Sequence, residues 1–160
     1  MTRLSDVLVN SQASGVYLLE DSSYLEEIPR LAKAQSFEFF HLEGRDIRNR
    51  EQFLKRSAKA LRFPDYFGNN WDAFADCLTD MSWYEGDGYV ILYDHFALFA
   101  VHSRDDFETA LDIFKESTEF WRNNGKSFFV LLWGTHVPEL SLPGINLYIV
   151  SHAVTVHTGQ

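Results

Sequence analysis

The chain has 160 residues with 14 Lys and Arg against 23 Asp and Glu, a formal net charge of −9; phosphate backbones are repelled by such a balance, which argues against direct nucleic-acid binding. Hydrophobic residues make up 46% and aromatics 16% of the sequence, enough apolar surface for one domain spanning 1–160 that buries roughly two thirds of its unfolded area. Cys77 is the only cysteine, so no internal disulfide forms, and with neither a signal-peptide pattern nor an apolar run near ~18 residues the expected location is cytoplasmic.

In chain order, Gly15-Val16-Tyr17-Leu18-Leu19 predicts a short strand, and residues 22–34 a helix that must take Pro29 in its early turns. Phe37 to Leu42 reads as a second strand, stopped by Glu43-Gly44. Residues 50–61 place Phe53, Leu54, Ala58 and Leu61 at helical spacing. Gly68-Asn69-Asn70 is a turn signal, and Asn70 suits the N-cap of the helix that follows. After Gly86-Asp87-Gly88, the apolar run Tyr89 to Tyr93 predicts a buried strand. Ser103-Arg104-Asp105-Asp106 has the form of a capping box. The helix it opens sets Phe107, Ala110, Leu111, Phe114 and Trp121 on one side, and Asn123-Asn124-Gly125 closes it. Ser127 to Trp133 is a further buried strand, Ile145 to Val150 an added one at an edge, and the tail after Ser151 is expected to fray. Strands alternating with helices imply an α/β fold with a mainly parallel sheet.

The helix begun by Asn70 carries an unusual pattern. At about 100° per residue, Trp71, Phe74, Cys77, Leu78 and Met81 gather on one side, and Asp72, Asp76 and Asp80 stack on the other. Like charges one turn apart weaken a helix by roughly 0.2–0.5 kcal/mol per pair. Only Asp72, in the first turn, is favoured by the helix dipole. From Phe63 to Ser103 the chain has no Lys or Arg, yet it holds Asp65, Asp72, Asp76, Asp80, Glu85, Asp87 and Asp94. Solubility alone is served by mixed signs, whereas a one-sign patch attracts and orients a cationic partner. Tyr66, Trp71 and Trp83 frame the patch with aromatics, the residue type enriched at interfaces.

The run from Phe63 to Thr79, with Tyr66, Gly68, Asn70, Asp72, Asp76, Cys77 and Leu78 in their spacing, resembles the inhibitor loop and second helix of the barstar family. These are intracellular inhibitors of guanyl-specific, barnase-like ribonucleases. The resemblance covers 39–134, leaving 1–38 as an N-terminal extension of a strand and a helix, and 135–160 as a C-terminal extension. It implies a barstar-like fold of three core strands with packed helices, extended by one or two strands. It also implies an acidic helix that occludes a basic ribonuclease site by mimicking RNA phosphates, with no catalysis of its own. By that likeness Tyr66 is the interface tyrosine, Asp72 the acid that pairs with arginines, Asp76 the phosphate mimic, and Glu116 a remote acidic contact. Asn70, Asp80 and Trp83 complete the expected partner-binding set. The pattern departs at Ala75, where a tryptophan is familiar, and at Asp80, which replaces a glycine.

Other constellations point less clearly to chemistry. The histidines at 41, 95, 102, 136, 152 and 157 show no metal-ligand spacing, and His41 reads as a packed or surface residue. Asp94 and His95 adjoin in sequence, but neighbours at a strand end should point apart. Carboxylates at 72, 76 and 80 span about 12 Å, too far to share one ion unaided. No nucleophile elbow or phosphate loop occurs, and no cofactor is expected. The alternatives to a ribonuclease inhibitor are a binding module with a non-nuclease partner, and a small hydrolase using Asp or His beside the strand ends.

Overall fold

Tyr89, Ile91 and Tyr93 contribute to one hydrophobic cluster, while Val90 and Leu92 belong to another. This alternation follows from the two-residue period of a strand, and it makes their strand the divider of a three-layer protein. The computed structural model describes residues 4–19, 25–134, 145–150 and 153–158. In chain order the elements are α1 (Leu4–Val9), β1 (Gly15–Leu19), α2 (Glu27–Ala34), β2 (Glu38–Leu42), α3 (Arg50–Leu61), α4 (Trp71–Asp80), β3 (Gly88–Asp94), α5 (Phe96–His102), α6 (Arg104–Asn123), β4 (Ser127–Trp133), β5 (Ile145–Val150) and β6 (Ala153–Thr158), with a 3-10 turn at Ser11–Ala13.

The strands form one sheet in the order β2-β3-β4-β1-β5-β6. The pairs β2–β3, β3–β4, β4–β1 and β1–β5 are parallel, and β5–β6 is antiparallel. The fold is therefore the mixed α/β class expected, with a mainly parallel sheet. Its near-continuous apolar strands fit that geometry, because both faces are covered. Phe53 and Leu54 of α3, Phe74 and Leu78 of α4, Phe96 and Phe99 of α5, and Phe107 and Phe114 of α6 pack on one side. Val7 and Leu8 of α1, with Ile28 and Ala32 of α2, cover the other.

The N-terminal strand is not an appendage. β1 lies between β4 and β5, with Gly15 opposite Phe129 and Leu19 opposite Trp133. β5 is internal as well, and the sheet's rim on that side is β6. The segment after Ser151, expected to fray, instead pairs from Ala153 to Thr158 with β5, because an added strand satisfies backbone groups that β5 would otherwise present to solvent. Pro29 stands at the third position of α2, where its missing N–H breaks no helical bond; residues 22–24, within the expected helix, lie outside the described residues.

One expectation at an element end is corrected. Ser103 is the N-cap of α6 but makes no side-chain capping bond. Its hydroxyl instead donates to the Arg48 carbonyl at 2.7 Å, so the capping box does not form. Helix α5 was not foreseen: Phe96 to His102 is apolar nearly throughout, so it offers no helical stripe, and burial of Phe96, Phe99 and Ala100 decides its form.

Candidate functional site

The acidic helix is held firmly at both ends. At its start the Asn70 side chain accepts a hydrogen bond from the Ala73 amide at 2.8 Å, while its amide group donates to the Gly68 carbonyl. Asn69 beside it takes a left-handed φ of 52°, which asparagine tolerates well. At the far end the Trp121 indole N–H of α6 donates to the Leu78 carbonyl at 2.8 Å, satisfying one of the orphan acceptors in the last turn. Phe74, Cys77, Leu78 and Met81 are buried beneath it. Burial raises the Cys77 thiol pKa, with Asp80 and Asp76 adding to the effect, so the sulfur stays a protonated packing group.

On the outer side Asp72, Asp76 and Asp80 are all exposed. The carboxylates of Asp72 and Asp76 make neither a hydrogen bond nor an ion pair with any described residue. Asp80 accepts one contact, from the Tyr66 hydroxyl at 3.4 Å. Tyr66 is 72% exposed, standing on a loop whose Phe63 and Phe67 rings pack 5.0 Å apart beneath it. A small hollow lined by Tyr66, Phe67, Ala73, Asp76, Cys77 and Asp80 separates loop from helix.

The other residues of the expected set are placed differently. Trp83 is half-buried; its ring meets Phe63 edge-on at 6.1 Å and its indole N–H donates to the Leu61 carbonyl. Tyr84 donates to the same carbonyl. Trp83 thus braces the joint between α3 and the loop, with one flank left open. Trp71 likewise packs on Phe53 and Phe74. Glu116 is exposed on α6, the helix that packs against α4.

A second polar constellation lies at the carboxyl end of β3, and it corrects an expectation. His95 takes φ 49°, which turns its ring back so that Nδ1 lies 2.9 Å from Asp94 Oδ1. Neighbours that should diverge therefore meet. His41 of β2, across the ladder, reaches Asp94 Oδ2 with Nε2 at 2.6 Å, and the Gly44 amide donates to Oδ1 at 2.8 Å. Burial of Asp94 works against its ionised form. The bonds from His95, Gly44 and His41, with the attraction of His41, outweigh it and hold the carboxyl below its ordinary pKa. Sequence spacing could not bring residues 41 and 94 together; only their ladder register does.

A family model described as "Barstar (barnase inhibitor)" matches residues 37–133. The chain belongs to the barstar family. That family consists of inhibitors of barnase-like ribonucleases, and its matched span runs from just before β2 to the end of β4, taking in the acidic helix. No curated protein matches the chain. Among solved structures, it is similar to the Aeropyrum pernix ORC2 protein (ADPNP-ADP complexes), with TM-score 0.59 and 14% identity. That match covers 85% of this chain and 39% of the other, a likeness of fold alone. Among the described residues, no helix is long and apolar enough to cross a membrane.

Proposed function

We propose that this barstar-family chain inhibits a basic ribonuclease by seating α4 and its leading loop in the enzyme's cationic cleft. What carries the reading is the state of the acid column. Asp72 and Asp76 are exposed carboxylates on a helix pinned at both ends, and no cation of the described chain neutralises them. An unpaired, ordered row of negative charge is complementary to a groove built for RNA phosphates. Asp72 would meet the arginines of the cleft and Asp76 its phosphate position. Tyr66 and Asp80 would form the rim, Trp83 its edge, and Glu116 an outlying contact from α6. Asn70 acts through the helix, by fixing where its first turn begins. The mechanism is occlusion: the inhibitor supplies charge and shape, and the enzyme loses access to substrate.

The test is titration calorimetry against a barnase-like ribonuclease, at low and high salt. Complex formation that weakens steeply with salt, and that disappears in the Asp72→Ala, Asp76→Ala double variant, is the expected result. Unchanged affinity in that variant would refute the assignment of the acid column.

A further inference from the structure

Charge on this protein is segregated, and its positive pole has no role in the reading above. Seven of the fourteen Lys and Arg lie between Arg45 and Arg62, against only two carboxylates in that span. On α3, Lys55, Lys59 and Arg62 recur at the i, i+4, i+7 spacing of a single helical stripe, and Arg56 stands beside them. Arg62 continues the stripe one residue past the last helical position, as the left-handed C-cap with φ 53°. Between this stripe and the edge strand β2 is a hollow of about 320 Å³, lined by His41, Glu43, Arg56, Lys59 and Arg62 with the apolar Leu42 and Ala60 as walls. A second hollow, of about 420 Å³, adjoins it and shares Arg56 and Lys59.

The cations of the first hollow are sparsely compensated. Arg56 has one exposed ion pair, to Asp46 at 3.2 Å, while Lys59 and Arg62 have no ion-pair partner among the described residues. His41 is oriented from behind. Its Nε2 is tied to Asp94, which is itself fixed by Gly44 and His95. Guanidinium and ammonium groups lining one concave site match the oxygens of a phosphate group. The size lies at the low end of small-ligand sites.

We propose that the hollow between β2 and α3 binds a phosphate group, carried by a small ligand such as a nucleotide or present as a free phosphate anion. Glu43 distinguishes the two sources. Its carboxylate repels a bare phosphate, but accepts hydrogen bonds from the sugar hydroxyls or base N–H groups of a nucleotide.

The experiment is calorimetric titration of the full chain with orthophosphate, pyrophosphate, and guanosine and cytidine 5′-monophosphates, with no ribonuclease present. Saturable binding of at least one of these is expected, weakened about tenfold by Lys59→Gln and by Arg62→Gln separately, and unchanged by Lys33→Gln on the opposite face of the sheet. Glu43→Ala should weaken a nucleotide but strengthen pyrophosphate, which identifies the source. No saturable binding, equal binding by the Lys59 and Arg62 variants, equal loss in the Lys33 variant, or capture of a short RNA strand with neither small anion bound would each overturn the proposal.

Discussion

Asp94 and His95 are adjacent in the chain, and their side chains meet at 2.9 Å because His95 adopts a left-handed backbone. The same carboxylate receives the Gly44 amide and His41, so one acid ties the end of β3 to the turn after β2 and to the ring at position 41.

This arrangement makes stability depend on pH in a definite sense. The folded pKa of Asp94 is lowered despite burial, because the bonds from His95, Gly44 and His41 outweigh desolvation. The unfolded chain therefore takes up the proton first as pH falls. The stabilisation is complete above the ordinary carboxylate range, and it is lost as pH drops through that range to the lower folded value. Asp94→Asn should cost on the order of 2 kcal/mol at pH 7, as for a charged hydrogen-bond acceptor. In urea unfolding at pH 7 and pH 3, the gap from wild type should narrow at the lower pH. An equal gap at both would mean that the charge is not what holds the three groups.

Gly44 is required by closeness rather than by backbone conformation. A Cβ there would lie 2.1 Å from the Asp94 carbonyl oxygen and 2.8 Å from a Tyr93 ring carbon. Neither neighbour is a flexible chain end, so Gly44→Ala must displace the β2 turn and its bond to Asp94. A loss of about 3 kcal/mol is expected, at the upper end of overpacking costs, and is read from the denaturation midpoint.

Asn70→Ala separates two roles that one residue could have at an interface. It removes the acceptor for the Ala73 amide, a loss of about 1 kcal/mol for an N-cap. Asn70→Asp keeps that acceptor. If Asn70 serves only as a cap, the Asp variant should retain both stability and ribonuclease binding, while the Ala variant loses part of each. Calorimetry of both complexes decides it.

Asp72 and Asp76 should respond with opposite sign when neutralised. Asp72 stands in the first turn of α4 and interacts favourably with the helix dipole. Asp76 lies between two like charges, one turn away on either side, and has no compensating partner. Asp72→Asn should lower stability by about 0.5 kcal/mol, and Asp76→Asn should raise it by about the same amount. Thermal unfolding at low ionic strength gives the comparison; both substitutions should weaken the proposed complex.

The boundaries of α3 and β4 match the segments expected from the helical spacing of Phe53, Leu54, Ala58 and Leu61 and from the apolar run of Phe128 to Trp133, 50–61 and 127–133. The outward turn of Asp72, Asp76 and Asp80 follows from the apolar stripe of Phe74, Cys77 and Leu78. These features are legible because they depend on spacing within one or two turns. α5 was hidden by its uniform hydrophobicity, and the Ser103 hydroxyl was drawn from its cap by Arg48, 55 residues away in sequence. The hollow beside Lys59 and Arg62 exists only because the edge of β2 lies next to α3, a neighbourhood that spacing within one helix does not contain.

By itself, the chain's order of residues determined an α/β protein with an amphipathic acidic helix begun at Asn70, since caps and periodicity are short-range effects. Only the tertiary structure decided that β1 enters the middle of the sheet, that His41 meets Asp94 across 53 residues, and that Trp121 closes the acidic helix at Leu78. Those pairings are set by which strands and helices bury each other's apolar faces. That choice is made jointly by the whole chain and is written in no single segment of it.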